Sequence, residues 1–151
     1  MRTNKGFTLV EILIVVIILG ILAAIVIPQF TEASNDARKS ALVSDLQTVR
    51  SQLELYKVQH NDSYPDANTS AAFLEQLTKR TNSAGTVGTD ASDYPLGPYL
   101  QSFPKNPFVS GDAADDISFG TGNPDGDGST GWFFNTSTGK FSPNDSKWSG
   151  L

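Results

Sequence analysis

The sequence predicts an α+β protein: one long N-terminal helix, transmembrane and then amphipathic, packed on a small antiparallel β-sheet domain. Three observations carry that expectation. Sixteen consecutive apolar residues run from Ile12 to Ile27. Beyond Pro28, apolar residues recur in steps of mostly three and four. Near the end, two β-prone runs flank a glycine-containing turn, the pattern of a hairpin.

The 151 residues suit about one domain. Setting the apolar start aside leaves roughly 120 residues, enough for one small domain with a thin core. The formal net charge is −5, and from Thr81 onward eight acidic residues face only Lys105, Lys140 and Lys147. An acidic surface without a basic stripe argues against nucleic acid as the main partner. With no cysteine there is neither a disulfide nor a thiolate metal site. His60 is the sole histidine, which removes most zinc sites and any histidine-based triad. It is expected at the end of a helix, as a surface or capping residue.

From Phe7 to Ile27 only Thr8 and Glu11 are polar. Twenty-one residues of helix span about 31 Å, the thickness of a bilayer's hydrocarbon core. Arg2 and Lys5 precede the run, which predicts a cytoplasmic N-terminus with the bulk of the chain across the membrane. A secretory signal would have a shorter apolar region and a small-residue cleavage site; this run ends in Ile25-Val26-Ile27-Pro28. A plain anchor explains the length but not Glu11. A carboxylate in an apolar helix costs about 2.5–3.5 kcal/mol on insertion scales, so it implies a partner, and the nearest basic residues are Arg2 and Lys5. Cleavage between Gly6 and Phe7 would create an α-amine at Phe7. That amine could meet the carboxylate one turn on, or Glu11 of a neighbouring copy.

The segment Lys5-Gly6-Phe7-Thr8-Leu9-Val10-Glu11 resembles the class III signal of type IV pilins and type II secretion pseudopilins. The resemblance implies leader cleavage after Gly6 by a prepilin peptidase and N-methylation of Phe7. It also implies that Glu11 guides assembly by meeting the Phe7 amine of an adjacent subunit. Gly20 and Pro28 fall where that family often has helix breakers. They are further assembly candidates, at which the helix either bends simply or unwinds on packing. The implied partners are copies of the chain in a homopolymeric filament, the prepilin peptidase, an inner-membrane assembly platform with minor pseudopilins or pilins, and lipid before assembly. The implied location is a single pass through the inner membrane with the globular part periplasmic. The assembled filament would lie in the periplasm or at the cell surface. The expected divisions are 1–6 (leader), 7–28 (transmembrane and assembly helix), 29–61 (amphipathic half of the helix) and 62–151 (globular part).

The amphipathic face reads Phe30, Ala33, Ala37, Ala41/Leu42, Leu46, Val49, Leu53 and Tyr56. Glu54 and Lys57 form an i,i+3 pair on its polar side. The helix should stop near Asn61, before Asp62-Ser63-Tyr64-Pro65. Thr69 or Asn68 can cap a short helix over 71–80 with Phe73, Leu74 and Leu77 inward. Residues 81–93 read as loop. Residues 94–108, rich in proline and aromatics, are expected to plug the domain against the long helix. A strand fits Ile117-Ser118-Phe119, and residues 131–135 and 140–144 form the hairpin around Thr136–Gly139. The stretches at 98–107 and 131–144 are similar to major pseudopilins. The lack of cysteine, where many type IVa pilins close a C-terminal loop by disulfide, favours pseudopilin over pilin.

Asn123-Pro-Asp125-Gly-Asp127-Gly-Ser129 places oxygens at alternate positions, as calcium loops do. Counting Asp125 as first, the twelfth residue is Thr136 rather than the glutamate of an EF-hand. The resemblance implies a calcium ion in the C-terminal loops. Asp125, Asp127 and Ser129, with Asp112, Asp115 and Asp116, are then the candidate ligands; a solvated acidic turn is the other reading. No spacing of nucleophile and base stands out, so no enzyme is expected. The leading function is the repeating subunit of a type II secretion pseudopilus that drives protein export across the periplasm. The alternatives are a major type IV pilin of a surface filament, serving adhesion, twitching motility or DNA uptake, and a membrane-anchored periplasmic binding module or enzyme.

Overall fold

Between Leu9 and Gln59 the sequence offers one glycine, one proline and otherwise residues compatible with a helix. In the computed structural model, which describes residues 6–151, that stretch is one helix, α1 (Leu9–Gln59). It continues through both Gly20 and Pro28. Beside Pro28, the Thr31 hydroxyl donates to the Ile27 carbonyl at 3.2 Å. The helix stops where the sequence predicts. Asn61 and Asp62 take left-handed backbone angles (φ 53° and 64°), which their short polar side chains tolerate. The Asp62 amide returns to the Lys57 carbonyl at 3.0 Å. Arg2 and Lys5 of the expected leader lie outside the described residues.

The chain forms two units, one ending at Arg38 and the other covering Lys39–Leu151, with the boundary inside α1. In the first unit the described residues from Leu9 onward are all helix and all exposed. The stripe residues Phe30, Ala33 and Ala37 share that exposure.

In the second unit the stripe is buried from its first large residue. Leu42, Leu46, Val49, Leu53 and Tyr56 are at most 3% exposed, at alternating steps of four and three that keep one face turned to the core. Arg50, on the flank of that face, donates from Nε and Nη2 to the Phe141 carbonyl (2.9 and 2.7 Å) and from Nη2 to the Leu151 carbonyl (2.8 Å). The predicted pair of Glu54 with Lys57 is replaced. Glu54 accepts from the Tyr64 hydroxyl at 3.1 Å, and Lys57 meets Asp62 at 3.5 Å. The chain folds back past Asn61 and brings both partners within reach.

The short helix, α2 (Ser70–Thr78), is capped by Thr69, whose hydroxyl accepts from the Ala72 amide. Phe73 and Leu77 are fully buried. It ends before the predicted Arg80 because Lys79 turns extended and Arg80–Thr81 becomes a strand, β1. β1 pairs antiparallel with β2 (Val87–Gly88), so the predicted loop holds a minimal hairpin. Asn82 shapes it by accepting from the Ala84 and Thr86 amides.

The main sheet has the order β3 (Ile117–Gly120), β4 (Trp132–Asn135), β5 (Phe141–Pro143). The predicted hairpin is β4–β5, antiparallel in register Trp132↔Pro143 and Phe134↔Phe141. Pro143, which cannot donate to a ladder, sits on the edge strand as it must. The third strand departs from expectation, since β3 lies parallel to β4, Ile117 beside Trp132 and Gly120 beside Asn135. Residues 121–131 return the chain to the starting end of the sheet instead of reversing it. The fold is α+β with a mixed sheet.

Aromatic rings fill the core. Trp132 stacks on Phe141 at 5.1 Å, and Phe73 meets Phe134 at 5.1 Å. Tyr99 and Phe103 from the proline-rich stretch are buried as expected, and Tyr99 packs edge-on against Tyr56. The Trp132 indole N–H donates to the Pro104 carbonyl at 3.0 Å. His60 departs from the surface expectation. It is 3% exposed, stacked on Tyr56 at 3.6 Å, with Nδ1 on the Tyr56 carbonyl and Nε2 on the Thr81 hydroxyl.

Burial, with the neighbouring Tyr99 and Asp66, pushes the Tyr56 phenol up to about 12. Tyr64 and Tyr99 are raised as well, also chiefly by burial. Above pH about 10 the unfolded chain loses phenolic protons that the folded chain retains, so stability falls as pH rises from there toward 12. A tyrosinate absorbance titration is expected to show a delayed, cooperative step coincident with loss of tryptophan fluorescence.

Candidate functional site

In the first unit the large apolar side chains from Phe7 to Phe30 range from 42% exposed (Val26) to 83% (Phe7). They cover every side of the helix. Burying each is worth about 1.5–3 kcal/mol, so the segment cannot remain in water. It is long and apolar enough to cross a membrane.

Gly6 and Phe7 precede the first turn of α1, and both are exposed. A side chain added at Gly6 or Gly20 would meet nothing within 4 Å. Neither glycine is required by the contacts of its own subunit. Pro28 likewise sits exposed within the helix.

Glu11 occupies the first turn of α1, where the helix dipole favours an anion. Its Oε2 accepts from the Thr8 amide at 2.8 Å and from the Thr8 hydroxyl at 2.7 Å. In return the Glu11 amide donates to Thr8 Oγ1 at 3.3 Å. This reciprocal arrangement is a capping box, and it fits the spacing Thr-x-x-Glu. Glu11 therefore finds its partner in a neutral neighbour, Thr8, where its charge alone points to a basic residue; the Thr-x-x-Glu spacing is the signal. Of the sequence-predicted residues at this end, Glu11 is thus joined to Thr8.

The metal candidates fall into two sets. Asp112 lies in a 3-10 turn, Gly111–Ala114. Asp115 faces Lys105 at 3.6 Å, and Asp116 accepts from the Ser70 hydroxyl at 3.2 Å. In the other set, Asp127 Oδ1 accepts from the Ser129 amide at 2.9 Å and from Asn144 Nδ2 at 3.3 Å. These bonds, the Ser129 amide foremost, hold its carboxyl below the usual range. A polar cleft of about 320 Å³ beside Phe108 and Asp145 is lined by Asp127, alone among the six candidates. Among the described residues no three or more carboxylates and histidines gather to hold a metal ion. The residues present do not fit a calcium site built from that set.

Two family models match the chain. The prokaryotic N-terminal methylation motif covers residues 1–27, and type II secretion system protein G covers residues 29–112. The chain belongs to the type II secretion system protein G family. Among its relatives is the type II secretion system core protein G of Klebsiella pneumoniae, 36% identical over 73% of each chain. That of Dickeya chrysanthemi is 36% identical over 71% of this chain and 65% of its own. That of Vibrio cholerae is 34% identical over 72% of this chain and 68% of its own. No solved structure matches. The protein G match ends at Asp112, so five of the six metal candidates lie beyond it. The apolar helix and these relatives are together consistent with membrane anchoring.

Replacing Thr8 with alanine removes a cap worth about 1 kcal/mol. In detergent micelles the amides of the first turn of α1 are expected to exchange several-fold faster in Thr8→Ala than in the parent, measured by hydrogen exchange with the remainder of α1 unchanged.

Proposed function

We propose that this protein is the repeating subunit of a type II secretion pseudopilus, polymerised through the apolar part of α1 and acting in protein export across the periplasm. The observation that carries this reading is a helix exposed and apolar on all sides, interrupted near its start by one carboxylate. Such a helix needs lipid or other copies of itself around it. Membership of the protein G family, whose named relatives are core proteins of that secretion system, supports the second. The family is a structural one, and the role proposed is structural.

The finer steps follow from the residues at the helix start. Leader cleavage falls between Gly6 and Phe7, and the new Phe7 amine is N-methylated. Before assembly the chain is a single-pass inner-membrane protein, its leader cytoplasmic and its globular unit periplasmic. In the filament, Glu11 pairs with the Phe7 amine of an adjacent subunit, which fixes the register between neighbours. Gly20 and Pro28 are points at which α1 adapts to that packing. A prepilin peptidase, an assembly platform and minor pseudopilins are the partners these steps require.

Gly6→Leu is expected to leave the leader in place, so the intact mass retains Met1–Gly6 in cells with an active peptidase. The parent should begin at Phe7 with one added methyl group.

Glu11→Ala is expected to insert in the membrane at least as well as the parent, because it removes the one charge from the span. Filaments visible by negative stain in sheared material should drop at least tenfold. Normal filaments from Glu11→Ala would remove the assembly role.

A further inference from the structure

The connection between β3 and β4 poses a problem that its own sequence does not solve. Parallel neighbours need a crossover, ordinarily of a dozen or more residues and usually helical. Here residues 121–131 cross with eleven residues, four of them glycine, and contain no helix or strand. Glycine gives this segment maximal freedom when unfolded, so a definite path requires outside fasteners.

Asn144, immediately after β5 and 2% exposed, supplies five hydrogen bonds to that path. Its Oδ1 accepts from the Gly126 amide at 2.9 Å, and its main-chain oxygen accepts from the Gly128 amide at 2.8 Å. Its Nδ2 donates to Thr130 Oγ1 at 3.0 Å and to Asp127 Oδ1 at 3.3 Å. Its amide donates to the Gly131 carbonyl at 3.0 Å. Two further buried polar side chains extend the fastening. Asn106, 1% exposed, donates from Nδ2 to the Gly131 carbonyl (2.8 Å) and to Asp145 Oδ2 (3.1 Å). Asp145, 4% exposed, accepts at Oδ1 from the Lys147 and Trp148 amides at 2.9 Å each.

We propose that Asn144, backed by Asn106 and Asp145, is a metal-independent clasp that closes the β3–β4 crossover where a loop-bound calcium ion would otherwise be expected. A cation gathers oxygen atoms only. A carboxamide gathers both kinds of partner, here the Gly126 N–H on one side and the oxygens of Asp127 and Thr130 on the other. The Asp127 carboxylate serves as one hydrogen-bond acceptor in this clasp, and its charge is not needed. Asn144 and Asp145 lie beyond the matched protein G segment, which ends at residue 112, while Asn106 lies within it.

The test uses the full-length chain in detergent micelles, with thermal unfolding followed by the fluorescence of its two tryptophans, Trp132 and Trp148. The parent is expected to unfold at the same midpoint, within about 1 °C, in EDTA and in millimolar calcium. A site holding calcium at a hundredfold excess over its dissociation constant would raise the midpoint by roughly 10 °C. Asp127→Asn keeps an acceptor for Asn144 and Ser129 while deleting the charge. It should unfold within about 2 °C of the parent, whereas loss of a calcium ligand would lower the midpoint and abolish any calcium response. Asn144→Asp removes both Nδ2 donors: it sets a second carboxylate against Asp127, and Thr130 Oγ1 can donate to it only by giving up its bonds to Ser118 and the Trp132 carbonyl. It should unfold roughly 5–10 °C lower, or fail to fold. A parent stabilised by calcium, an Asp127→Asn variant that loses that stabilisation, or an Asn144→Asp variant as stable as the parent would each overturn the clasp.

Discussion

The apolar segment of α1 is the constraint on which everything else depends. A helix satisfies its own backbone, so what remains open between Phe7 and Phe30 is side-chain surface, exposed on every side. Water is excluded as a surrounding by the summed cost of the aliphatic side chains. Lipid and sister helices are nearly equivalent for them, because acyl chains are as apolar as leucine. The hydrophobic effect therefore confines this segment to an oily environment without choosing between membrane and polymer. That choice falls to close packing and to the rare polar groups, which is why a single carboxylate in the first turn carries so much of the functional argument.

The globular unit answers a different difficulty, that of a small domain without disulfides. One face of α1, from Leu42 to Tyr56, supplies an apolar wall, and aromatic rings from α2, the proline-rich stretch and the main sheet join it in one core. Large rings bury much area at small cost in rotamer freedom, which suits a thin core. Arg50 reaches from the flank of the same wall to the Phe141 and Leu151 carbonyls, so the last strand and the chain end are tied to the helix on which they pack. The irregular segments are held by buried asparagines, Asn106 and Asn144, each addressing main-chain groups that no ladder reaches.

Local pattern made much of this legible. The apolar run, the stripe at steps of three and four, the Asn61-Asp62 stop, the Thr69 cap and the β4–β5 hairpin all rest on neighbours close in sequence. What escaped was set by distant pairing. The parallel seat of β3 depends on where residues 121–131 deliver the chain, and nothing in Ile117-Ser118-Phe119 encodes direction. His60 reads as a surface residue until Thr81 and Tyr99, far along the chain, close over it. Glu54 and Lys57 are suitably spaced for each other yet find Tyr64 and Asp62 once the chain turns back. The candidate metal ligands rest on alternating oxygens and on the family resemblance, whereas their bonds to Lys105, Ser70 and Asn144 span residues too distant for spacing to reveal. Thr8 is the exception: its relation to Glu11 is local and is encoded in the Thr-x-x-Glu spacing, which a search for a basic partner does not register.

That relation bears on how a subunit can wait in the membrane. Glu11 lies in the first turn of α1, close to the interface in the proposed span, so its cost is below that of a charge at the midplane. Two hydrogen bonds from Thr8 and the positive end of the helix dipole lower it further. The carboxylate is thus satisfied within its own chain, and a lone subunit does not need a partner to remain in lipid. Thr8 offers the carboxylate two neutral donors, whereas an α-amine would add a full positive charge, whose attraction grows as the surroundings lose water. In the proposed filament, a Phe7 amine presented by an adjacent copy would be the stronger partner for the carboxylate. Under that proposal the same residue is satisfied by neutral donors in the monomer and takes a charged partner only in the filament.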